Sequence, residues 1–329
     1  MMSIDMTSST QSGALKRLMT HFPFFPSLII LVALLALNGF FEPNSLSFGS
    51  LTGLISTYMA LVLLAVAQTY VVFSGDIDLS AGSIVSLVNV VIVVLMERWG
   101  GGGFQVILAC LVGIGAGVLC GIFNGIAIAA LRLQAIVATF ATSIFFTGIA
   151  LWILPVAGTP VPEIYWTIYT SEYFGIPFVL YVLVVALLAV GFLARTALVT
   201  QMLSVGDNAN AAFQSGLPVT LIRIKGYVIC GFFSALAALC ISGDTASGDP
   251  LVGGKMTLFS VAAVVLGGTA LAGGVGSVVG SVIGAFIIGL ISSLVFFVGT
   301  PSEWQNLVQG LAILVALMVG IIVSRKANA

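Results

Sequence analysis

The chain has 329 residues, of which 60% are hydrophobic and 6% charged, and its ten basic and eleven acidic side chains leave a net charge of −1. A soluble domain carries roughly 25% charged residues, so a water-soluble fold of this size has nowhere to hide so much apolar surface. Scattered, balanced charge also argues against nucleic acid as a partner, which calls for a basic patch or stripe.

A bilayer core of about 30 Å needs about 20 helical residues, because each unpaired amide in lipid costs several kcal/mol. Residues 1–27 read as a cytoplasmic tail, polar and Ser/Thr-rich through Gly13 and then carrying Lys16 and Arg17. No small-residue cleavage pattern closes a short apolar core there, so the first helix is expected to be retained. The apolar runs predict helices over 28–41 (extending back through the Phe and Pro residues at 22–26), 51–73, 79–96, 104–130, 135–154, 176–193, 223–243, 257–272, 276–299 and 304–323. The predicted fold is all-α: a polytopic transmembrane bundle of about ten spans over 28–323, with a re-entrant segment as the alternative around Gly273–Gly276 and a short tail at 324–329. The alternating segments of roughly ten residues that mark a membrane barrel are absent.

Placing both termini in the cytoplasm puts Lys16, Arg17, Arg132, Arg195, Arg223, Lys225, Arg325 and Lys326 inside and only Arg98 and Lys255 outside. That is the bias expected when basic flanks stay on the cytoplasmic side. Glu42, Glu97, Glu163, Glu172, Asp244, Asp249 and Glu303 all map outside, as a secondary pattern.

Between the first long spans, Ser74–Ser83 interrupts the apolar pattern; Asp78 or Ser80 reads as a cap for the next helix, and Gly75 eases the turn. Gly113, Gly117, Gly121 and Gly125 share one helical face, as do Gly276, Gly280 and Gly284, which predicts close backbone packing, with a sliding surface as the functional alternative. Each glycine-rich helix precedes a shorter apolar span, the pattern of a weak internal duplication. Gln68, Asn89, Asn124, Gln134, Thr139 and Thr142 are candidates for lining a hydrated path, with hydrogen bonding between helices as the alternative for each. The longest inner connection, 194–222, contains a short amphipathic helix over Gly206–Gly216, either an interfacial loop or a docking site for a cytoplasmic partner. On the outer side Glu163, Glu172, Asp244, Asp249 and Lys255, with Trp166 and Tyr169, could meet an external protein or fix membrane depth.

Cys110, Cys120, Cys230 and Cys240 lie far apart in apolar segments and read as buried thiols, not as a metal or disulfide framework. Neither GxxxxGK[ST], HExxH nor GxSxG occurs, and His21 has no triad around it, so the chain is expected to catalyse nothing and to bind no cofactor itself.

Three stretches then carry a resemblance: Ser74–Ser83, Gly117–Thr147 with GIFNGIAIAALRLQAIVATFAT, and Ala262–Gly284 with AAVVLGGTALAGGVGSVVGSVIG. Over residues 50–323 the chain resembles the bacterial ATP-binding-cassette sugar permeases of the ribose, xylose and arabinose type. The resemblance implies an inner-membrane subunit of an importer for a monosaccharide or small polyol. Its implied partners are a second permease copy, cytoplasmic ATPase domains that bind ATP and magnesium, and a periplasmic sugar-binding protein. It also implies that Asp207, Asn208, Ala211, Ala212, Ser215 and Gly216 form the coupling contacts with the ATPase, although Asp207–Asn208 reverses the family's usual order of Asn before an acid. An ion-coupled carrier is the transport alternative, and a receptor or structural membrane protein the remaining one.

Overall fold

The computed structural model describes residues 24–328, with side chains described through Met318. Residues 1–23 of the predicted tail, with Lys16, Arg17 and His21, and the side chains of Arg325 and Lys326 lie outside the described residues, while 25–27 belong to the first helix. In chain order the helices are α1 (Phe25–Phe41), α2 (Phe48–Phe73), α3 (Ala81–Arg98), α4 (Gly103–Gly125, continued by a π-helical turn over Ile126–Ala130), α5 (Ala135–Ile153) and α6 (Glu163–Thr170). There follow α7 (Phe178–Ala194), α8 (Ala197–Asp207), α9 (Ala209–Gln214), α10 (Val219–Thr245), α11 (Met256–Leu266), α12 (Val278–Phe297) and α13 (Ser302–Asn328). A 3₁₀ turn over Pro43–Leu46 and two antiparallel ladders of two residues per strand complete the described elements, the ladders pairing Thr159–Pro160 with Ser247–Gly248 and Glu172–Tyr173 with Ile176–Pro177.

The molecule is an all-α polytopic membrane bundle, but with fewer spans than the ten predicted. Among the described residues six helices are long and apolar enough to cross a bilayer, or seven if α7 and α8, bent by 70° at their break, count as one. The shortfall has local causes. α1 has 17 residues, although it does begin behind the apolar run, with Pro26 in its first turn where no amide hydrogen is required. The predicted 257–272 helix stops at Leu266, because the chain turns at Gly267–Gly268, the latter with φ +82°. Gly276 therefore precedes α12 and does not sit on its face; the stripe starts at Gly280.

The core is built around α2, which is buried at every residue from Met59 to Phe73. A helix that is apolar all round must be enclosed on all sides, and α10, α12 and α11 do most of this, with α7 and α8 completing it. α10 runs antiparallel to α2: Tyr70 stacks on Phe233 and its carbonyl lies beside Gly226, while at the other end Ser56 donates to Asp244. The α4 glycines meet backbone. A Cβ on Gly121 would strike the carbonyl of Tyr227, one on Gly117 would come 2.6 Å from that of Gly231, and one on Gly125 would come 3.0 Å from Cα of Ile224. Gly280 and Gly284 similarly lie against the carbonyls of Gly267 and Ala263. All four cysteines are free thiols; three are buried and Cys110 is half-buried.

Candidate functional site

Two non-helical segments enter the bundle, 74–80 before α3 and 246–255 before α11. Irregular backbone at membrane depth survives only where protein groups satisfy its amides and carbonyls, and the polar residues picked out in the sequence do so here. The Gln68 amide, oriented to match donors with acceptors, donates to the Asp78 carbonyl (3.2 Å) and accepts its N–H (3.1 Å). Thr139 accepts the Leu79 N–H at 3.0 Å. Asp78 folds back on its own turn, accepting the Ser80 N–H (2.8 Å) and hydroxyl (2.6 Å), and its second oxygen lies 3.5 Å from the Cys230 sulfur. Asn124 closes the group by donating to the Ser80 hydroxyl at 2.7 Å. The expected cap is thus an Asx turn one step ahead of the helix: Ser80 occupies the N-cap, but Asp78 does the accepting.

The second segment is held by one face of α3. Gly82 donates its N–H to Thr257 (2.9 Å), Ser86 accepts from Gly253 (2.9 Å), and Asn89 accepts from Asp249 (2.7 Å) while donating to Ser242 (2.6 Å). Positions 82, 86 and 89 fall on one helical face. α3 and α11 therefore begin against each other, with Gly82 and Gly253 in backbone contact. Gln68, Asn89, Asn124 and Thr139 are fully or almost fully buried, and Thr142 nearly so, its hydroxyl donating to the Thr139 carbonyl. The structure gathers Gln68, Asn124 and Thr139 around the first segment, leaves Thr142 buried and bonded within its own helix, puts Asn89 on the second segment, and leaves Gln134 exposed ahead of α5. The sequence did not point to Ser86 or Thr257, and it marked Cys230 only as a buried thiol, which it is, without its place beside Asp78. Ser86 lies one turn before Asn89 on the same face, but nothing in an apolar helix marks such a serine as a contact, and nothing distinguished Cys230 from the other thiols.

At one end of the bundle three backbone strands meet through glycines. Gly206, at the end of α8, lies against the Phe73 carbonyl and Gly274; Gly273 (φ +87°) lies against Gly75, and Gly274 (φ +76°) against Asp207. Beside this junction Arg223 grips Asp76 with two parallel bonds, Nε to Oδ2 at 2.9 Å and an Nη to Oδ1 at 2.6 Å. It is the one ion pair found among the described residues. From the junction projects α9, capped at both ends. Asn208 accepts the Ala211 N–H at 3.0 Å, and Gly216 (φ +83°) allows the Gly216 and Leu217 amides to return to Phe213 and Ala212. Ser215 donates to the Ala211 carbonyl, Ala212 packs inward, and Asp207, Asn208, Ala211, Ser215 and Gly216 are exposed. Phe213, which the sequence reading passed over, stands 72% exposed on this stub.

The opposite end is closed by α6. Tyr165 donates to the Leu239 carbonyl (2.8 Å) and Tyr169 to that of Ser56 (3.2 Å), and burial raises both phenols above their ordinary range, so they remain neutral donors. Glu163, Glu172 and Asp244 are exposed around this end, Asp249 is half-buried and accepts from Leu251, and Lys255 reaches Asn306 at 3.3 Å. These five do not form one cluster of mutual contacts. No group of side chains with metal-binding composition occurs among the described residues.

Interrupted helices inside an apolar all-α bundle, with a rigid stub at one end, define a membrane transport component. The chain belongs to the family described as branched-chain amino acid transport system permease component, whose model matches residues 50–317. It is 31% identical over 301 residues to the autoinducer 2 import system permease protein LsrC of Salmonella paratyphi B, covering 89% of this chain and 84% of the relative. The protein of that name from Escherichia coli O9:H4 is 32% identical (89% and 85% covered) and that from Yersinia pseudotuberculosis serotype O:3 is 30% identical (89% and 83%). No solved structure matches. The chain is therefore a noncatalytic permease subunit of a bacterial inner-membrane ATP-binding-cassette import system, and the ribose, xylose and arabinose subtype read from the motifs is not carried by these matches.

Proposed function

We propose that this chain imports a small polyol, a monosaccharide or the autoinducer 2 of its relatives' name, by pairing with a second permease copy and with ATPase domains that bind ATP and magnesium. A periplasmic binding protein delivers the substrate to the α6 end, where Glu163, Glu172, Asp244, Asp249 and Lys255 supply charged contacts. The ATPase docks on α9 through Asp207, Asn208, Ala211, Ser215 and Gly216, with Phe213 as the apolar plug and the buried Ala212 seating the helix on the bundle instead of meeting the partner. The observation that carries this reading is the exposed Phe213 on a doubly capped helix whose root, Gly206–Asp207, touches both Gly75 and Gly274. A displacement of α9 reaches the 74–80 segment through backbone contacts alone, without a flexible side chain between. Gln68, Asn124 and Thr139 would then hold, and Asn89 would steady, the interrupted segments flanking the path. ATP can shift the bundle between openings only if the ATPase grips α9 differently in the two states.

The test is co-purification from mild detergent with ATPase and binding protein, then reconstitution with labelled monosaccharides and autoinducer 2. ATP-dependent uptake that Phe213→Ala lowers by roughly tenfold or more, about what losing one interface aromatic removes, supports the reading. The variant should assemble normally, since the ring is exposed. Uptake by this chain alone, driven by an ion gradient, would replace the reading with a secondary carrier.

A further inference from the structure

A cavity of about 550 Å³ lies between α4, α7 and α10 beneath α6, outside the polar segments described above. α7 packs closely on α2, α6 and α8, and the slot is the space left between it and the α4–α10 pair. Its back wall is Leu63, Phe233 and Cys240; its rim is Ile107 and Leu111 on α4 and Val185 on α7, all about 60% exposed. The three tyrosines in its lining offer ring faces only. Tyr165, Tyr169 and Tyr181 each commit their hydroxyl to a backbone carbonyl, of Leu239, Ser56 and Tyr173 respectively.

Water needs two to four polar partners to settle in a cavity and finds none here. A polyol would lose its hydrogen bonds on entering, so the slot is not a substrate site. An unfilled slot is costly as well, since atoms lining a void forfeit their dispersion contacts. An apolar slot that opens through an exposed apolar rim on α4 and α7 matches a hydrocarbon chain, which gains by burying each methylene and asks for no hydrogen bond. We infer that the α4–α7–α10 slot holds one acyl chain of a phospholipid from the leaflet nearest α6, as a resident part of the bundle.

The test reconstitutes the full chain in phosphatidylethanolamine and phosphatidylglycerol vesicles doped with a phospholipid bearing a photoactivatable diazirine in one acyl chain, and maps the labelled residues by mass spectrometry. Label is expected on the interior residues Cys110, Tyr165 and Leu239. Ala189→Phe, which fills the slot, should lower that interior label by roughly tenfold, because several buried methylenes are displaced. Leu188→Phe, on the lipid-exposed face of the same helix, should leave it unchanged. Label confined to Ile107, Leu111 and Val185, or interior label lowered equally by both variants, would overturn the inference. So would oxidative cross-linking of two copies through Cys110, which would put protein where the chain is placed. If Ala189→Phe does not assemble, the wild-type label map decides alone. None of these readouts involves ATP or uptake, so the result is independent of the transport reading.

Discussion

A buried carboxylate inside a membrane bundle needs its partners, and Asp76 and Asp78 find theirs differently. Asp78 is fully buried and pairs with no base among the described residues, but Ser80 supplies two donors and Cys230 a third, weaker one. It acts as the local template of the turn into α3. Asp76 instead meets a guanidinium whose planar fork matches its two oxygens, a geometry that lysine cannot reproduce. Removing one member of such a pair leaves the other uncompensated, which costs about 3–5 kcal/mol at a fully buried site. Arg223 retains 26% exposure, so solvent screens it and the loss is expected nearer 1–2 kcal/mol. Asp76→Asn and Arg223→Gln should each lower the midpoint of thermal unfolding in detergent, and the double variant should fall by less than the two losses added. Strict additivity would mean that the two groups do not interact, despite their separation.

Among the elements, the α4 stripe shows what glycine spacing does and does not tell. Gly113, Gly117, Gly121 and Gly125 do share a face, and it is a packed one, pressed on α10 and, at Gly113, on Ile92 of α3. Gly115 is on the same helix but faces open space. Gly121→Leu should therefore abolish a monodisperse bundle on size-exclusion chromatography, since backbone at Tyr227 and Val228 cannot yield as a side chain can, and overpacking of even a pliable core costs about 1–3 kcal/mol. Gly115→Leu should elute like the parent protein. An assembled Gly121→Leu protein that has lost uptake would instead mark the α4–α10 contact as a moving surface. Element existence was legible in the sequence because apolar runs and punctuating glycines act locally. The length of α11 was not legible: Thr269–Leu271 carries the apolar run on past Val261–Leu266, and only the backbone turn at Gly267–Gly268, with Gly267 against Gly280 of α12, separates them. The face of α3 that reads the 249–257 backbone was half legible, through Asn89 but not Ser86, since a serine in an apolar helix is as often bonded to its own preceding turn.

At the scale of the whole molecule, a long buried helix, an interrupted entry, a helix beginning inside the bundle, a glycine-faced helix and a following helix occur in that order twice, as α2 to α5 and as α10 to α13. The duplication faintly visible in the glycine spacing is therefore an order of elements, and because α2 and α10 run antiparallel the two copies point in opposite directions through the membrane. Such an arrangement sets the two interrupted segments entering from opposite ends and meeting where Gly82 touches Gly253. It also fixes a consequence for orientation: α9 and the α6 loop must lie on opposite sides of the bilayer, because α2 and α10 connect their ends. The proposed orientation takes the α9 end as cytoplasmic, on the Lys and Arg bias expected from the sequence. Single cysteines at Asn210, exposed on α9, and at Glu172, exposed beyond α6, should therefore react with a membrane-impermeant maleimide from opposite sides, Asn210→Cys only in inverted vesicles and Glu172→Cys only in intact spheroplasts. Reaction of both from one side would break the antiparallel placement of α2 and α10. Exchange of the two sides would keep the bundle but move α9 out of reach of any cytoplasmic ATPase, and with it the proposed route from nucleotide to the 74–80 segment.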